Sequence, residues 1–260
     1  MSLPQVVSRQ DWLAARKELL RQEKELTRQR DALNADRRRL PMVRVDKEYV
    51  FDGPAGPASL VDLFDGRRQL VLQHFMFDPS WDAGCPSCTG SLHELSAGLL
   101  AHLNSRDTSF AVVARAPLAK IEAYKASQGW TFPFYSSHGS DFNYDFHTTL
   151  DESVAPVMFN YRDRDELIQA GFESLTEPDG YPSEQPGYSF FLRATADGEH
   201  GADDENNTVF HTYSTFGRGC EDLGCASYYY LDHTALGRQE NWEEPSGRVT
   251  DPHDAIPVFT

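Results

Sequence analysis

Gln69 to Phe77 reads QLVLQHFMF and leads, through Asp78-Pro79-Ser80-Trp81-Asp82-Ala83-Gly84, into Cys85-Pro86-Ser87-Cys88 and a leucine-rich stretch that ends at Leu103. The first nine residues form a mostly apolar run bounded by Gly66 and Pro79, the pattern of a buried strand. From Ser87 onward Leu92, Leu95, Leu99, Leu100 and Leu103 recur at helical spacing, which predicts one helix over Ser87 to Leu103. A strand, a loop, two cysteines three residues apart and a helix therefore follow in order, with Cys85 and Cys88 at or just inside the helix start.

The pattern continues outward on both sides. Ser109 to Ala114 reads as a strand, Pro117 to Gln128 as a helix opened by proline, and Thr131 to Ser136 as another short strand. Strands joined through helices build a mostly parallel sheet whose reactive loops lie at the strand carboxyl ends, where Cys85 falls. Upstream, Val43 to Phe51 reads as a strand, Asp52 to Pro57 as a turn, and Ser59 as the cap of a short helical stretch, Leu60 to Phe64. Downstream, Tyr188 to Arg193 and Thr208 to Ser214 read as two strands joined by the polar loop Asp197 to Asn207. Tyr228 to Leu236 reads as a closing helix. Residues 145–187 show no clean element beyond a helix around Arg164 to Gly171, and they read as an insertion that covers the site.

Ser8 to Arg39 contains no Gly or Pro and opens with Ser8 three residues before Asp11, an N-cap with an acidic first turn, so it predicts a long helix. The chain thus divides into an N-terminal helical arm, 1–40, and a main domain, 41–260. Trp12, Leu19, Leu26, Leu33 and Leu40 recur every seven residues, but the partner seam Ala15, Gln22, Gln29, Asp36 turns polar. That favours a helix laid against the domain or a partner subunit over a self-pairing coil, and leaves a homodimer through this helix open.

A chain of 260 residues with 40% hydrophobic content buries a full core. The net charge of −16 is uneven: residues 1–47 carry 12 Lys/Arg against 7 Asp/Glu, or +5, and the rest carry 12 against 33, or −21. An acidic body repels phosphate backbones, so no nucleic-acid partner is expected. No run of about 18 apolar residues occurs and Met1 to Val7 lacks a signal-peptide layout, so the expectation is a cytoplasmic protein without a membrane partner. Four cysteines are too few for a disulfide scaffold, and a close pair in a reducing compartment means metal or redox chemistry more often than a staple.

A helix N-terminus lowers a cysteine pKa and so supplies the thiolate that attacks disulfides. The expected roles are Cys85 as nucleophile and Cys88, one turn later, as resolving thiol. Trp81, Asp82, Pro86 and Ser87 shape the site: Trp81 as an aromatic shield, Pro86 as a stiff first-turn residue, and Asp82, with Asp78, as charges that tend to raise a nearby thiol pKa. A metal site and a pair without chemistry are the other readings. A second pair, Cys220 and Cys225, supplies a zinc site with the first pair, or an electron relay to it, or two ordinary part-buried thiols. His93 lies on the cysteine helix and reads as a surface histidine. Phe142-Asn143-Tyr144-Asp145-Phe146 and Tyr228-Tyr229-Tyr230 read as core packing ahead of a substrate groove.

Several longer motifs resemble a known group. Val7-Ser8-Arg9-Gln10-Asp11-Trp12-Leu13, Leu40-Pro41-Met42-Val43 with Tyr49 to Gly53, Phe75-Met76-Phe77 through Trp81 to Cys88, Gly139-Ser140-Asp141-Phe142-Asn143 and Phe210-His211-Thr212-Tyr213-Ser214 together resemble the thioredoxin-like proteins grouped as domain of unknown function 899. More distantly, Ser59 to Phe64, Gly129 to Ser137 and Tyr188 to Arg193 are similar to stretches of peroxiredoxins. The resemblance implies a thioredoxin-like, peroxiredoxin-type α/β three-layer sandwich with a central mixed sheet, plus the long N-terminal helix. Peroxiredoxins have Thr or Ser three residues before the peroxidatic cysteine, whereas Asp82 holds that place here. The thioredoxin-like cis-proline position falls on Tyr188, two residues after Pro186. Cys220 and Cys225 lie outside the shared motifs.

The function expected on these grounds is a thiol-disulfide oxidoreductase. It needs no cofactor beyond its own disulfide, and its partners are a protein or small-molecule disulfide and an electron donor. The alternatives are a thiol peroxidase and a non-enzymatic redox-sensing or zinc-holding binding protein.

Overall fold

The computed structural model describes residues 3–177, 180–194, 207–217 and 219–253. These form two compact units, one made of the arm up to Pro41 with the tail from Tyr230, the other running from Met42 to Tyr229. The tail thus groups with the arm.

In the first unit, α1 spans Arg9–Arg39, and Ser8 caps it by accepting from the Asp11 backbone N–H at 3.1 Å. Arg21–Glu18, Arg28–Glu25 and Arg39–Asp36 pair three residues apart along its exposed surface. Such pairs contribute only about 0.2–0.5 kcal/mol each. No residue of α1 is buried, and Trp12, Leu19, Leu26 and Leu33 of the seven-residue stripe are about half exposed.

The second unit is built on an eight-stranded sheet. Its strands are β1 (Val43–Arg44), β2 (Val50–Gly53), β3 (Gly56–Ser59), β4 (Gln69–His74), β5 (Thr108–Ala114) and β6 (Phe134–Ser136), with two more described below. Four two-residue strands follow: β7 (Thr149–Leu150), β8 (Met158–Phe159), β9 (Arg162–Asp163) and β10 (Ser183–Glu184). The sheet is completed by β11 (Gly187–Arg193) and β12 (Val209–Phe216) and runs in the order β1-β12-β11-β4-β5-β6-β2-β3. Only β4, β5 and β6 are mutually parallel, and β11, β12 and both edges are antiparallel. The sheet is therefore mixed rather than mostly parallel. The sheet is thus a parallel βαβ core, β4 to β6, extended by the antiparallel pair β11 and β12 beside β4, the strand that leads to the dithiol, with the hairpin β2 and β3 at the far edge.

Alternation along the central strands makes two cores. Leu70, Leu72, Ala111 and Val113 face one side with Phe51, Phe64 and Phe142. Val112 and Ala114 face the other with Phe75, Phe77, Cys88, Leu92 and Ile121. Each fully buried large apolar side chain is worth about 1.5–3 kcal/mol, which fixes the register, because a one-residue slip would swap the two faces. The aromatic cluster at 142–146 follows the packing expectation: Phe142 is buried and Phe146 leans on the same core.

Three expectations are corrected. The single helix over Ser87 to Leu103 is two helices, α2 (Pro86–His93) and α3 (Ala97–Asn104). Ser96 interrupts it, since its backbone is extended and its hydroxyl accepts from the Leu99 N–H at 3.1 Å, a new N-cap. Val43 to Phe51 is not one strand: β1 is one edge of the sheet and β2 is next to the other edge, and Val45 and Tyr49 between them join the first core. The closing helix comes early. After α4 (Leu118–Gln128), α5 (Phe142–Asp145), α6 (Arg164–Gln169) and α7 (Glu221–Gly224), the last helix among the described residues, α8, spans Ala226–Leu231. Residues 145–187 hold β7 to β10, α6 within its expected range, and a small core of Leu150, Val157 and Leu167. Most of the loop Asp197 to Asn207 lies outside the described residues.

Candidate dithiol site

β4 ends at His74, and the chain continues extended through Phe75, whose N–H donates to the Val113 carbonyl at 2.8 Å. Asp78 then turns it, its carboxylate accepting from the Ser80 N–H and hydroxyl at 2.7 and 2.6 Å. The Cys85 N–H donates back to the Met76 carbonyl at 3.0 Å, which ties the loop to the strand end. Gly84 makes the close approach possible: a Cβ there would lie 2.3 Å from the Phe75 ring and 3.1 Å from Tyr124. Gly84→Ala is expected to destabilise the protein by about 1–3 kcal/mol through overpacking, read as a lower urea midpoint with an unchanged slope.

Cys85 is the N-cap of α2, with Pro86 at the first helical position, where a missing N–H costs no helical bond. Its carbonyl accepts from both the N–H and the hydroxyl of Thr89, each at 2.9 Å, while the Tyr124 hydroxyl bonds Thr89 Oγ1 at 2.8 Å. All four cysteines are thiols; Cys85 is half-buried and Cys88 is buried.

The two thiols are electrostatically unequal. Hydrogen bonding from the Cys88 thiol lowers the Cys85 pKa to about 6 against the opposing effect of burial. The backbone N–H groups of Cys88 and Ser87 and the Ser87 side chain add to the lowering. Cys88 moves the other way, raised by its hydrogen bond to Cys85, by burial and by the Cys85 charge. The expected influence of Asp78 and Asp82 is absent among these causes. Asp78 is engaged by Arg115, and Asp82 is exposed. Trp81 is part-exposed, its carbonyl accepting from Lys120. His93 bonds the Gln128 side chain at 3.1 Å on the surface.

Two arrangements were invisible as sequence. Arg115, just past β5, bridges Asp78 and Glu184 in the interior, with its Nε 2.6 Å from Glu184 Oε1, and Thr149 donates to the other Glu184 oxygen at 3.0 Å. The buried His74 ring bonds Ser189 at 2.8 Å, Ser189 bonds Ser214 at 2.8 Å, and Ser214 bonds His211 at 2.7 Å, a chain across β4, β11 and β12. Burial, with the charge of His211, lowers His74 to about 3, so it is neutral. For the second the one signal was His74 inside the apolar run of β4, whereas Arg115 lies just past β5 and Glu184 in a two-residue strand.

A cavity of about 30 Å³ beside α2 is lined by Cys88, Ser91, His74, Tyr188, Cys220 and Cys225, and also by Ser87 and Pro186. The structure thus brings the second cysteine pair to the buried thiol of the first. Cis peptides among the described residues precede Pro182 and Pro245, not Pro186. No three His, Cys, Asp or Glu side chains among the described residues group as metal ligands, and no helix there is long and apolar enough to cross a membrane.

A family described as "Bacterial protein of unknown function (DUF899)" matches residues 1–255. No curated protein matches. Among solved structures, a mutant PrxQ of Xylella fastidiosa is 11% identical at a TM-score of 0.39, covering 70% of this chain and 89% of its own. A mutant peroxiredoxin Q of Xanthomonas campestris is 12% identical at 0.41, covering 72% and 90%.

Proposed function

This chain belongs to the DUF899 family of bacterial proteins of unknown function, and from that premise we propose that it is a thiol-disulfide oxidoreductase in which Cys85 attacks and Cys88 resolves. The observation that carries the reading is the placement of the two thiols, Cys85 half-buried at the N-cap of α2 and Cys88 buried one turn on; the pKa directions, Cys85 lowered and Cys88 raised, agree with it.

At neutral pH Cys85 is mostly thiolate, the attacking species. It bonds to one sulfur of a substrate disulfide, that S–S bond breaks, and the other sulfur departs as a thiolate that takes a proton from water. The Cys85 charge is then gone, and with it the hydrogen bond that most strongly holds the Cys88 proton, leaving burial as the opposing effect. Cys88 loses its proton and attacks Cys85 Sγ, the second substrate thiol leaves, and a Cys85–Cys88 disulfide remains for a thiol reductant to reopen. The order of events is built into the pair, since the resolving thiol is activated only after the nucleophile has reacted.

Alkylation of Cys85 by iodoacetamide, followed against pH, is expected to rise with a midpoint near 6. Cys88→Ala removes the largest lowering influence and is expected to shift that midpoint upward by about one unit or more. The activity itself is tested by mixing reduced protein with glutathione disulfide and mapping the product by mass spectrometry. Failure of a Cys85–Cys88 disulfide to form ends the proposal.

A further inference from the structure

Cys220 and Cys225 are placed by a specific piece of chain geometry. β12 ends at Phe216, and Gly217 and Gly219 take positive φ values of 62° and 102°, a reversal that side chains with a Cβ resist. The Cys220 N–H closes this turn on the Gly217 carbonyl at 3.2 Å. The following helix lies tight on α2: a Cβ on Gly224 would sit 2.1 Å from Ser91 Oγ and 2.5 Å from Tyr188 Oη. Beyond it, Glu94 at the end of α2 accepts from the Ser227 N–H at 2.8 Å and the Ser227 hydroxyl at 2.5 Å.

The result is a small pocket that touches Cys88, Cys220 and Cys225 but not Cys85. Cys220 and Cys225 are 3% and 5% exposed, and Cys220 is near enough to bear on the titration of Cys88. Cys85 is the half-exposed thiol of the four. Disulfide substrates in solution therefore meet Cys85, whereas the second pair meets only what Cys88 hands to it.

We propose that Cys220 and Cys225 are a reserve dithiol that reduces the Cys85–Cys88 disulfide from inside the protein. The inference rests on the oxidoreductase reading above. Deprotonated Cys220 bonds to Cys88 Sγ, the Cys85–Cys88 bond breaks, and Cys85 departs as a thiolate, favoured as leaving group because it is the more acidic sulfur. Cys225 gives up its proton and bonds to Cys220 Sγ, and the Cys88–Cys220 bond breaks. Cys88 takes up a proton, so two electrons and one proton pass from the second pair to the first, with Cys220 starting and Cys85 ending as the thiolate. An external thiol reductant acting at Cys85 refills the reserve by the same steps in reverse. A fully reduced chain thus holds four electrons and turns over two substrate disulfides before it needs a donor.

The test counts them. Fully reduced full-length protein, freed of reductant, is mixed with excess glutathione disulfide, the released glutathione is measured, and disulfides are mapped by mass spectrometry. Wild type is expected to release about four glutathione molecules per chain in two phases, and Cys220→Ser about half as many in one. Cys88→Ser is expected to leave Cys220 and Cys225 reduced. Gly224→Ala keeps all four thiols but collides with Ser91 and Tyr188, and is expected to slow the second phase by about tenfold or more. Equal release from wild type and Cys220→Ser, or oxidation of the second pair at wild-type rate in Cys88→Ser, would overturn the reserve while leaving the first dithiol intact. No release at all from wild type would remove the oxidoreductase reading itself.

Discussion

Cys85→Ser is expected to lower the rate of glutathione disulfide reduction by at least about a thousandfold, because a serine hydroxyl does not ionise near neutral pH and no other half-exposed thiol replaces it. Cys88→Ser is expected to behave differently. The first attack survives in it, so Cys85 accumulates as a mixed disulfide with glutathione, visible as an added mass, while catalytic turnover stops. Thiolate is lost as pH falls through about 6, so wild-type activity is expected to drop in that window and to level off above it. The direction follows from the sign of the shift, since a lowered thiol pKa favours the charged form over a wider range. Comparable turnover in Cys85→Ser and wild type would place the chemistry on another group.

Much of the local order around the two cysteines was readable before the fold was known. The run from Gln69 to Cys88 carries a strand, a loop and a helix start within twenty residues, and local pattern settles such short-range order. The first core strands and the helix after Pro117 fell where hydrophobic spacing put them. The misses share a cause, which is that a local signal was outweighed by a contact distant in sequence or by a competing cap. Leu95 to Leu103 keep the helical spacing of the preceding turn, yet Ser96 starts a new helix and Leu99 ends exposed. Asp78 was weighed as a charge beside the thiols, but Arg115, 37 residues away, holds it. Cys220 and Cys225 lie more than a hundred residues beyond Cys88, and only the turn at Gly217 and Gly219 and the packing of Gly224 bring them to it. A sequence announces local order more readily than which residues meet.

Arg115 carries the second large expectation. Its side chain, about one-eighth exposed, sits between Asp78 and Glu184, themselves 9% and 1% exposed. Burial alone would lower the Arg115 pKa, but the charges of Glu184 and Asp78 outweigh it and hold the guanidinium charged. Glu184 bears the desolvation cost: burial raises its carboxyl pKa even with Arg115 beside it. Arg115→Met strips two interior carboxylates of their counter-charge and is expected to destabilise the protein by about 3–5 kcal/mol in urea unfolding. Arg115→Met with Glu184→Gln is expected to recover part of that loss, since one buried charge goes with its partner. The pH dependence gives an independent check. A carboxyl with a raised folded pKa binds its proton more readily folded than unfolded, so the penalty is full above the folded value and fades as pH falls toward 4.5. The stability gap between Arg115→Met and wild type should therefore narrow in acid, and a gap that stays constant would mean that lost packing, not lost charge, is what the arginine supplied. Because Asp78 begins the loop that delivers Cys85, the same variant should also lose disulfide reductase activity at temperatures where it is still folded.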